Sequence, residues 1–403
     1  MAESATLPKL HDQVAGPART AASAGVSVRL AHHLEEVESA WRHLEGQGVE
    51  SPGQSFEFIR LWTRTQSIPE VDQVYVVAEL AGTPVALLAL HRKRVRGVRQ
   101  LAWFPGAHVG CNAPLVDRAR LAALSAEARR ALWSDMLAKV QGVDVVYLKS
   151  MPEVLVDGVD IFAELGIPLV ADTLYRAQFA SWEEANTTQR SKSRRKHDRQ
   201  QGERLEALGD VGFEEISAGP EAAAVLDLMF RQRAARFRTM GVADPFACDV
   251  RAFYDATVAP GSAVDVRLHV LRLNGEIVAV RYNIAQGDRL FCLISSMSDD
   301  PAIQTGSPGK QCLLRVMQTV FDAGYRVFDM GAGFTDEKRH WCNVQIAVRH
   351  HYVALTPQGR LAAGLHRLWQ ISRKRIKEDE RLLKLAKSLR ARLQRVKAED
   401  PSA

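Results

Sequence analysis

Apolar positions recur at helical spacing in one stretch of the C-terminal half of the chain. The residues of this stripe are Leu313, Leu314, Met317, Val320 and Phe321. They predict a helix that begins near Lys310, with Ser307 as its N-cap and Pro308 in its first turn. Apolar runs at 289–296 and 325–330 predict a strand before this helix and a strand after it. The predicted unit is therefore strand, loop, helix and strand.

The rest of the chain alternates between strand-like and helix-like patterns. In the first half, the pattern predicts strands at 26–30, 74–80, 84–91 and 143–148, and helices at 34–44, 56–65 and 119–140. In the second half, it predicts strands at 211–216, 264–273 and 277–285, and helices at 221–239 and 250–258. Residues 151–171 form the crossing between the halves. This order predicts an α/β (α+β) fold with mixed sheets.

The loop before the helix has the composition of an anion-binding turn. Gly306 and Gly309 let backbone N–H groups approach a ligand closely, and a helix N-terminus favours negative charge. Similar glycine turns occur without any ligand in many α/β proteins. The downstream Gly331-Ala-Gly333 turn and Lys338 favour a site here.

Three motifs of this stretch together resemble a known family. They are Ser307-Pro308-Gly309, Phe328-Asp329-Met330-Gly331-x-Gly333 and the following Lys338. In order and spacing they are similar to the acetyltransferase-like proteins associated with cellulose and exopolysaccharide biosynthesis. That family is a branch of the Gcn5-related N-acetyltransferase (GNAT) superfamily, related to the peptidoglycan aminoacyl (FemAB-like) transferases. The family commonly has Tyr directly before the lysine, where this chain has Glu337.

The resemblance implies tandem GNAT-like acyltransferase folds with mixed sheets. The expected organisation is a disordered leader at 1–25, a degenerate N-terminal GNAT-like half at 26–171, a C-terminal GNAT-like acetyltransferase domain at 172–357 and a basic helical tail at 358–403. Only the second half carries the phosphate-type loop, so we expect it to bind the acyl donor.

The same resemblance implies acetyl-CoA or another acyl-CoA as co-substrate, and we expect no metal. The implied coenzyme contacts are Ser296 and Met297 on the strand before the loop, and Gln304, Gly306, Ser307, Gly309 and Lys310 in the loop and first helical turn. A backbone N–H near 295–297 would polarise the thioester carbonyl.

Asp329, Lys338 and Tyr282 are the candidate catalytic residues. Asp329 and Lys338 match motif positions that flank the entry of an acceptor. Asp329 is either a general base or an acid that caps the Gly331 turn. Lys338 is either a substrate or donor contact or an exposed loop charge, and Tyr282 is either a general acid or a core tyrosine.

A basic run near the start of the second half has seven Lys/Arg between 190 and 204. Family members carry an Arg/Lys-rich helix at this point, and Arg194, Arg195 and Arg199 are the candidate contacts to an anionic ligand. The alternative is a solvated helix face.

Charge and composition bound the remaining possibilities. The chain of 403 residues has a net charge of +6. Residues 365–398 carry twelve Lys/Arg against three acids, a net of +9, so the rest of the chain is near −3. No apolar run reaches membrane-spanning length, and the five widely spaced cysteines predict neither a disulfide framework nor a zinc site. We expect a cytoplasmic protein that can lie at the periphery of the inner membrane.

The basic tail repeats apolar residues at helical spacing. These are Leu382, Ala386, Leu389, Leu393 and Val396. Such a helix packs on its own body, associates with a second copy, or lies on an anionic membrane surface.

The resemblance to this family and the basic run leave three functions open. The first is an acyl-CoA-dependent N-acyltransferase acting on a sugar or exopolysaccharide precursor. The second is an aminoacyl transferase that uses a charged tRNA, the one case in which a nucleic-acid partner is expected. The third is a non-catalytic regulator that binds a cyclic dinucleotide.

Overall fold

A computed structural model of the protein describes residues 25–241, 244 and 250–379. The leader predicted at 1–25 lies outside this part of the chain except for Gly25. The predicted apolar stripe from Leu382 to Val396 also lies outside it. Among the described residues, no helix is long and apolar enough to cross a membrane.

Fifteen strands are formed by the described residues. They are β1 (Val26–Ala31), β2 (Gln73–Leu80), β3 (Thr83–Val95), β4 (Val98–Trp103), β5 (Leu115–Val116), β6 (Val145–Pro152), β7 (Leu155–Val156), β8 (Val159–Asp160), β9 (Ile167–Gln178), β10 (Val211–Ile216), β11 (Val266–Leu273), β12 (Glu276–Gln286), β13 (Arg289–Met297), β14 (Val327–Ala332) and β15 (Val344–Ala354).

Twelve α-helices accompany them in the described residues. They are α1 (Glu38–Glu45), α2 (Phe56–Thr65), α3 (Arg118–Ala123), α4 (Ala126–Ala138), α5 (Trp182–Glu184), α6 (Lys192–Glu206), α7 (Pro220–Thr239), α8 (Arg251–Thr257), α9 (Pro301–Gln304), α10 (Pro308–Asp322), α11 (Asp336–Trp341) and α12 (Pro357–Glu378).

One mixed sheet of 13 strands runs through both halves, in the order β1-β2-β3-β4-β6-β15-β9-β14-β13-β12-β11-β10, with β5 paired to β3. The halves exchange strands at its centre. Strand β9 begins in the first half and continues into the second, where it pairs with β14. Strand β15 ends the second half but pairs with β6 of the first half and with β9. The two halves are thus joined into one sheet, and the predicted α/β class with mixed sheets is confirmed.

The halves also share a hydrophobic core on one face of the sheet. Helices α1 and α2 of the first half pack there together with α7 and α8 of the second half. The Phe58 and Phe253 rings, one from each half, have centroids 4.7 Å apart. On the other face, α4 covers the first half and α10 the second half.

Three sequence predictions differ from the structure in their elements. The helix predicted at 119–140 is two helices, because Ser125 interrupts it and its side chain caps α4 by accepting from the Ala128 N–H at 3.2 Å. The crossing segment 151–171 contains the start of β9. The polar turn expected around Lys338 is helix α11, which Thr335 caps.

Helix α12 begins at Pro357, where the sequence pattern predicts the end of the globular part. It packs against the sheet through Ala363, which is buried with Val145 and Tyr352. His366 Nδ1 lies 2.9 Å from the Tyr352 hydroxyl. The first part of the predicted tail is therefore part of the folded body.

Candidate functional site

The sheet opens between β13 and β14. These strands pair in parallel only where Arg289–Phe291 face Val327–Asp329. Beyond that point β13 continues beside β12 to Met297, and β14 continues beside β9 to Ala332. We call this opening the C-terminal wedge. It brings the end of β13, the start of α10 and the Gly331–Gly333 turn to one place.

The start of α10 is fixed by helix α6. Ser307, the residue before the helix, has φ +50°, and its Oγ accepts from Gln201 Nε2 at 2.7 Å. Gly306 packs so closely on α6 that a Cβ at this position would lie 2.8 Å from Leu205 Cβ and 3.0 Å from its backbone N. Glycine at 306 is therefore required by helix packing, not by the approach of a ligand.

Two of the loop amides expected to face an anion are already bonded. The Gly306 N–H donates to the Ile303 carbonyl at 3.1 Å, and the Ser307 N–H donates to the Gln304 carbonyl at 3.0 Å. Within the described residues the Gly309 N–H has no acceptor, and Lys310 is half-buried without an ion pair to any described acid. Of the groups that the loop is predicted to offer to an anion, the Gly309 N–H and the Lys310 ammonium are thus the ones without a described partner.

A buried arginine joins the two helices that border the wedge. Arg281 donates to the Gly309 carbonyl at 3.2 Å and to Glu337 of α11 at 3.1 Å. Burial opposes its charge, but Glu337 together with the neighbouring thiols raises the pKa of Arg281 above its ordinary value. Glu337, the departure from the family pattern, therefore has a partner that ties α11 to the start of α10.

Lys338 orders the turn that follows β14. Its Nζ donates to the carbonyls of Gly331, Ala332 and Gly333 at 3.0, 2.9 and 2.8 Å. The side chain is buried, and this desolvation lowers the pKa of its ammonium. All three ammonium protons have acceptors in this structure, so Lys338 shapes the edge of the wedge and is not an exposed loop charge.

Asp329 lies in a buried ion network between the halves. Its Oδ2 accepts from Arg176 Nε at 2.7 Å, and its Oδ1 accepts from the Gly331 N–H at 2.7 Å. The bond from the Gly331 N–H is the turn cap that the sequence analysis gave as one of two roles for Asp329. Arg176 also pairs with Glu50 at 2.7 Å.

Glu50 is a member of this network that sequence reasoning missed. Burial alone would raise the pKa of its carboxyl, but Arg176, Arg118 and Arg289 outweigh burial and lower it. Its position in a loop before α2 carries no motif. Only the strand exchange brings it to Arg176, so no local signal in the sequence could have found it.

The structure does not bring Tyr282 to the wedge. Its side chain is fully buried in the shared core, and its hydroxyl lies 2.8 Å from Thr257 Oγ1. Burial raises its pKa. Of the two alternatives for Tyr282, a general acid or a core tyrosine, the structure shows the core tyrosine.

The other residues predicted to contact the acyl donor, Ser296, Met297 and Gln304, have different surroundings. Ser296 is buried and donates to Gln232 on α7 at 2.7 Å, away from α10. Met297 lies beside the loop, with its Sδ 2.9 Å from where a Cβ of Gly309 would be. Gln304 donates to the Ser298 carbonyl and closes the turn before α10.

The predicted anion contacts on α6 have three different environments. Arg194 pairs with the buried Asp198 at 3.0 Å. Arg195 donates to the carbonyls of Asn186 and Arg190 at 2.9 and 2.8 Å. Arg199 is exposed, 3.6 Å from Glu203, beside a cavity of about 1020 Å³ between α6 and α10. The basic run thus has a packing role that the sequence did not indicate, and Arg199 is the most exposed of the three.

Comparisons with known proteins agree with this architecture. Residues 192–339 match the family model described as Acetyltransferase (GNAT) domain. A search of curated proteins finds no match to the chain. The family match indicates a GNAT-type acyltransferase, in agreement with the sequence prediction, and leaves the exopolysaccharide branch a prediction.

Solved structures with a related fold are similar at low sequence identity. FemX is 11% identical with a TM-score of 0.53, over 81% of this chain and 97% of that chain. A conserved protein of unknown function from Bacteroides thetaiotaomicron is 13% identical with a TM-score of 0.51, over 77% of this chain and 96% of that chain. A tandem GNAT protein from the clavulanic acid biosynthesis pathway is 11% identical with a TM-score of 0.41, over 82% of this chain and 99% of that chain. At these identities the likeness to the first two shows the fold alone.

Proposed function

From a GNAT-type acyltransferase domain in the second half, we propose that the protein transfers an acyl group from acyl-CoA to an amine of a sugar or exopolysaccharide precursor. The observation that carries this proposal is the C-terminal wedge, which opens directly beside the start of α10. A donor can lie with its phosphates at the helix N-terminus and its thioester along the unpaired edge of β13.

The residues at α10 fit the anionic end of such a donor. Gly309 offers a backbone N–H in the first helical turn, and Lys310 offers an ammonium group. Arg281 donates to the Gly309 carbonyl and so fixes this peptide in the first helical turn. These groups bind and orient the donor.

In the reaction, the acceptor nitrogen forms a bond to the thioester carbon and the carbon–sulfur bond breaks. The acceptor loses a proton, and the coenzyme leaves as a thiol. Positioning and a backbone N–H on the free edge of β13 supply the rate enhancement in this proposal. Asp329 and Lys338 are positioning residues in it, because both fix the Gly331–Gly333 turn at the acceptor side of the wedge.

Aminoacyl transfer from a charged tRNA is the second candidate. The exposed cations of α6 favour it, because Lys192, Lys196 and Arg199 line the 1020 Å³ cavity beside α10. A polyanion binds such a surface with strong salt dependence. A cytoplasmic location, peripheral to a membrane or not, is compatible with both candidates and is part of the proposal.

Thermal unfolding with single ligands separates these candidates. We expect acetyl-CoA or a longer acyl-CoA to raise the melting temperature, since a ligand that binds only the folded state stabilises it. Stabilisation by aminoacyl-tRNA alone would support the second candidate. Stabilisation by a cyclic dinucleotide alone would contradict both and indicate a regulator.

A further inference from the structure

A second cavity lies between α12 and the sheet. Its volume is about 900 Å³. It is lined by strands β3, β6, β9 and β15 and by the last turns of α12. Ala332, in the turn that Lys338 orders, also lines it. This cavity is distinct from the start of α10, where the donor site is proposed.

Cations from three elements converge on this cavity. They are Lys93, Lys149, Arg373, Lys374 and Arg375, while one acid, Asp172, lines it among the described residues. Lys93, Lys149 and Arg373 form no ion pair with any acidic side chain that the structure describes. Lys149 is half-buried and the other four are exposed at the rim, so the cavity presents a concentration of positive charge that favours an anion.

Burial first, and then the neighbouring cations, shift the pKa values of Lys149 and His350. Burial and the neighbouring Arg373 lower the pKa of Lys149. Burial, together with Lys149 and His366, lowers the pKa of His350 to about 4. His350 is therefore neutral near pH 7. Because its Nδ1 accepts from the Ser150 N–H at 3.1 Å, its Nε2 carries the hydrogen and remains a donor.

Aromatic rings complete the lining. Tyr147, His366 and Trp369 all contribute, and the Tyr147 and His366 rings have centroids 4.9 Å apart. Flat rings beside charged donors suit a ligand with a polar body and an attached anion. The volume also exceeds that of a bare inorganic ion.

We propose that this cavity binds a phosphate-bearing ligand, with Lys149 and Arg373 as contacts to the phosphate from opposite sides. The phosphate belongs to a soluble phosphorylated compound or to a lipid headgroup. The proposal does not depend on acyl transfer, because the cavity uses none of the donor-site residues.

The outer face of α12 has the exposed apolar residues that a lipid headgroup as the source of the phosphate would require. Leu361, Leu365 and Leu368 are 66%, 59% and 63% exposed and follow one another at helical spacing. Trp369 lies at the cavity and is 53% exposed. An apolar stripe beside cations is the pattern of a helix that lies on an anionic bilayer.

The test measures binding by the full chain without acyl donor. The soluble probes are inorganic pyrophosphate and glucose 1-phosphate, measured by calorimetry. The lipid probes are vesicles of phosphatidylcholine with and without phosphatidylglycerol, measured by co-sedimentation. We expect at least one probe to bind, and we expect Lys149→Ala and Arg373→Ala each to weaken it about tenfold.

Lys139→Ala is the matched control, because Lys139 is exposed at the end of α4 and outside the cavity. We expect it to change affinity by less than about twofold. Binding of the soluble probes would identify a soluble ligand, and binding of anionic vesicles alone would identify a headgroup. The proposal is overturned if no probe binds, or if Lys139→Ala weakens binding as much as the cavity variants do. Arg373 is exposed on α12, so its variant remains informative if Lys149→Ala does not fold.

Discussion

Two buried arginines hold the candidate site in place, and each is balanced by acids from distant parts of the chain. Arg176 lies between Asp329 and Glu50, with N···O distances of 2.7 Å to each. Arg281 lies between the Gly309 carbonyl and Glu337. A buried charge that loses its partner is destabilising, because its desolvation is no longer compensated. The charged residues at the site therefore stabilise the fold in addition to shaping the candidate site.

The Arg281–Glu337 pair gives the first prediction. We expect Glu337→Ala to lower the free energy of unfolding by about 2 kcal/mol, less than for a fully buried pair because Glu337 is partly exposed. Glu337→Gln, which keeps a hydrogen-bond acceptor, should cost less. Urea unfolding measures the stability of both variants. An unchanged free energy of unfolding for Glu337→Ala would show that the ion pair with Arg281 does not stabilise the fold.

His350 gives a prediction for pH. Its pKa is about 4 in the folded protein, below its ordinary value of 6.5. The unfolded chain therefore binds more protons between these values, and stability falls as pH falls from about 6.5 to 4. We expect this histidine to contribute about 1 to 3 kcal/mol of that fall. Unfolding curves of His350→Gln should depend less on pH over this range than those of the natural chain. Parallel curves would contradict the assignment.

At the scale of elements, helix α10 depends on its contact with α6. A Cβ added to Gly306 would contact the backbone and Cβ of Leu205, whereas a Cβ added to Gly309 would contact only the Met297 side chain. These two glycines of the same loop therefore differ in what a methyl group would displace.

This contrast predicts different effects of the same substitution. We expect Gly306→Ala to lower the free energy of unfolding by about 2 kcal/mol, because backbone atoms of α6 must move. Gly309→Ala should cost about 1 kcal/mol or less, since the end of a flexible side chain can shift. Equal losses in thermal or urea unfolding would argue against tight α6–α10 packing.

The sequence predicted the local elements of the site well. The pattern at 289–296 and the stripe from Leu313 to Phe321 correspond to β13 and α10. The pattern did not show that α6 packs on the loop, because Gly202 and Leu205 are isolated within a polar run. It also placed Tyr282 among catalytic candidates, since periodicity alone does not say which face of a strand the core covers.

At the scale of the whole molecule, the two halves are bound by exchanged strands and a common core. Residues 26–171 lack the strand β15 that pairs with β6, and residues 172–357 lack the first part of β9. Neither predicted half therefore contains all the strands that form its part of the sheet. Pairing between strands so distant in sequence leaves no local pattern, which is why the predicted boundary between the halves runs through β9.

This arrangement predicts that both halves unfold together. We expect a single transition by both circular dichroism and tryptophan fluorescence, because the shared core cannot open in one half alone. Two separated transitions would contradict it.

The central claim is that the start of α10 binds an acyl donor through Gly309. The most direct measurement is the dissociation constant for acetyl-CoA of Gly309→Glu, which places bulk and negative charge at the proposed phosphate site. We expect an increase of about tenfold or more. Gly309→Ala controls for size. Gly364→Glu controls for charge, because a Cβ at this position of α12 would have no other atom within 4 Å, and we expect this variant to bind like the natural chain. Unchanged affinity in a folded Gly309→Glu variant would contradict the claim.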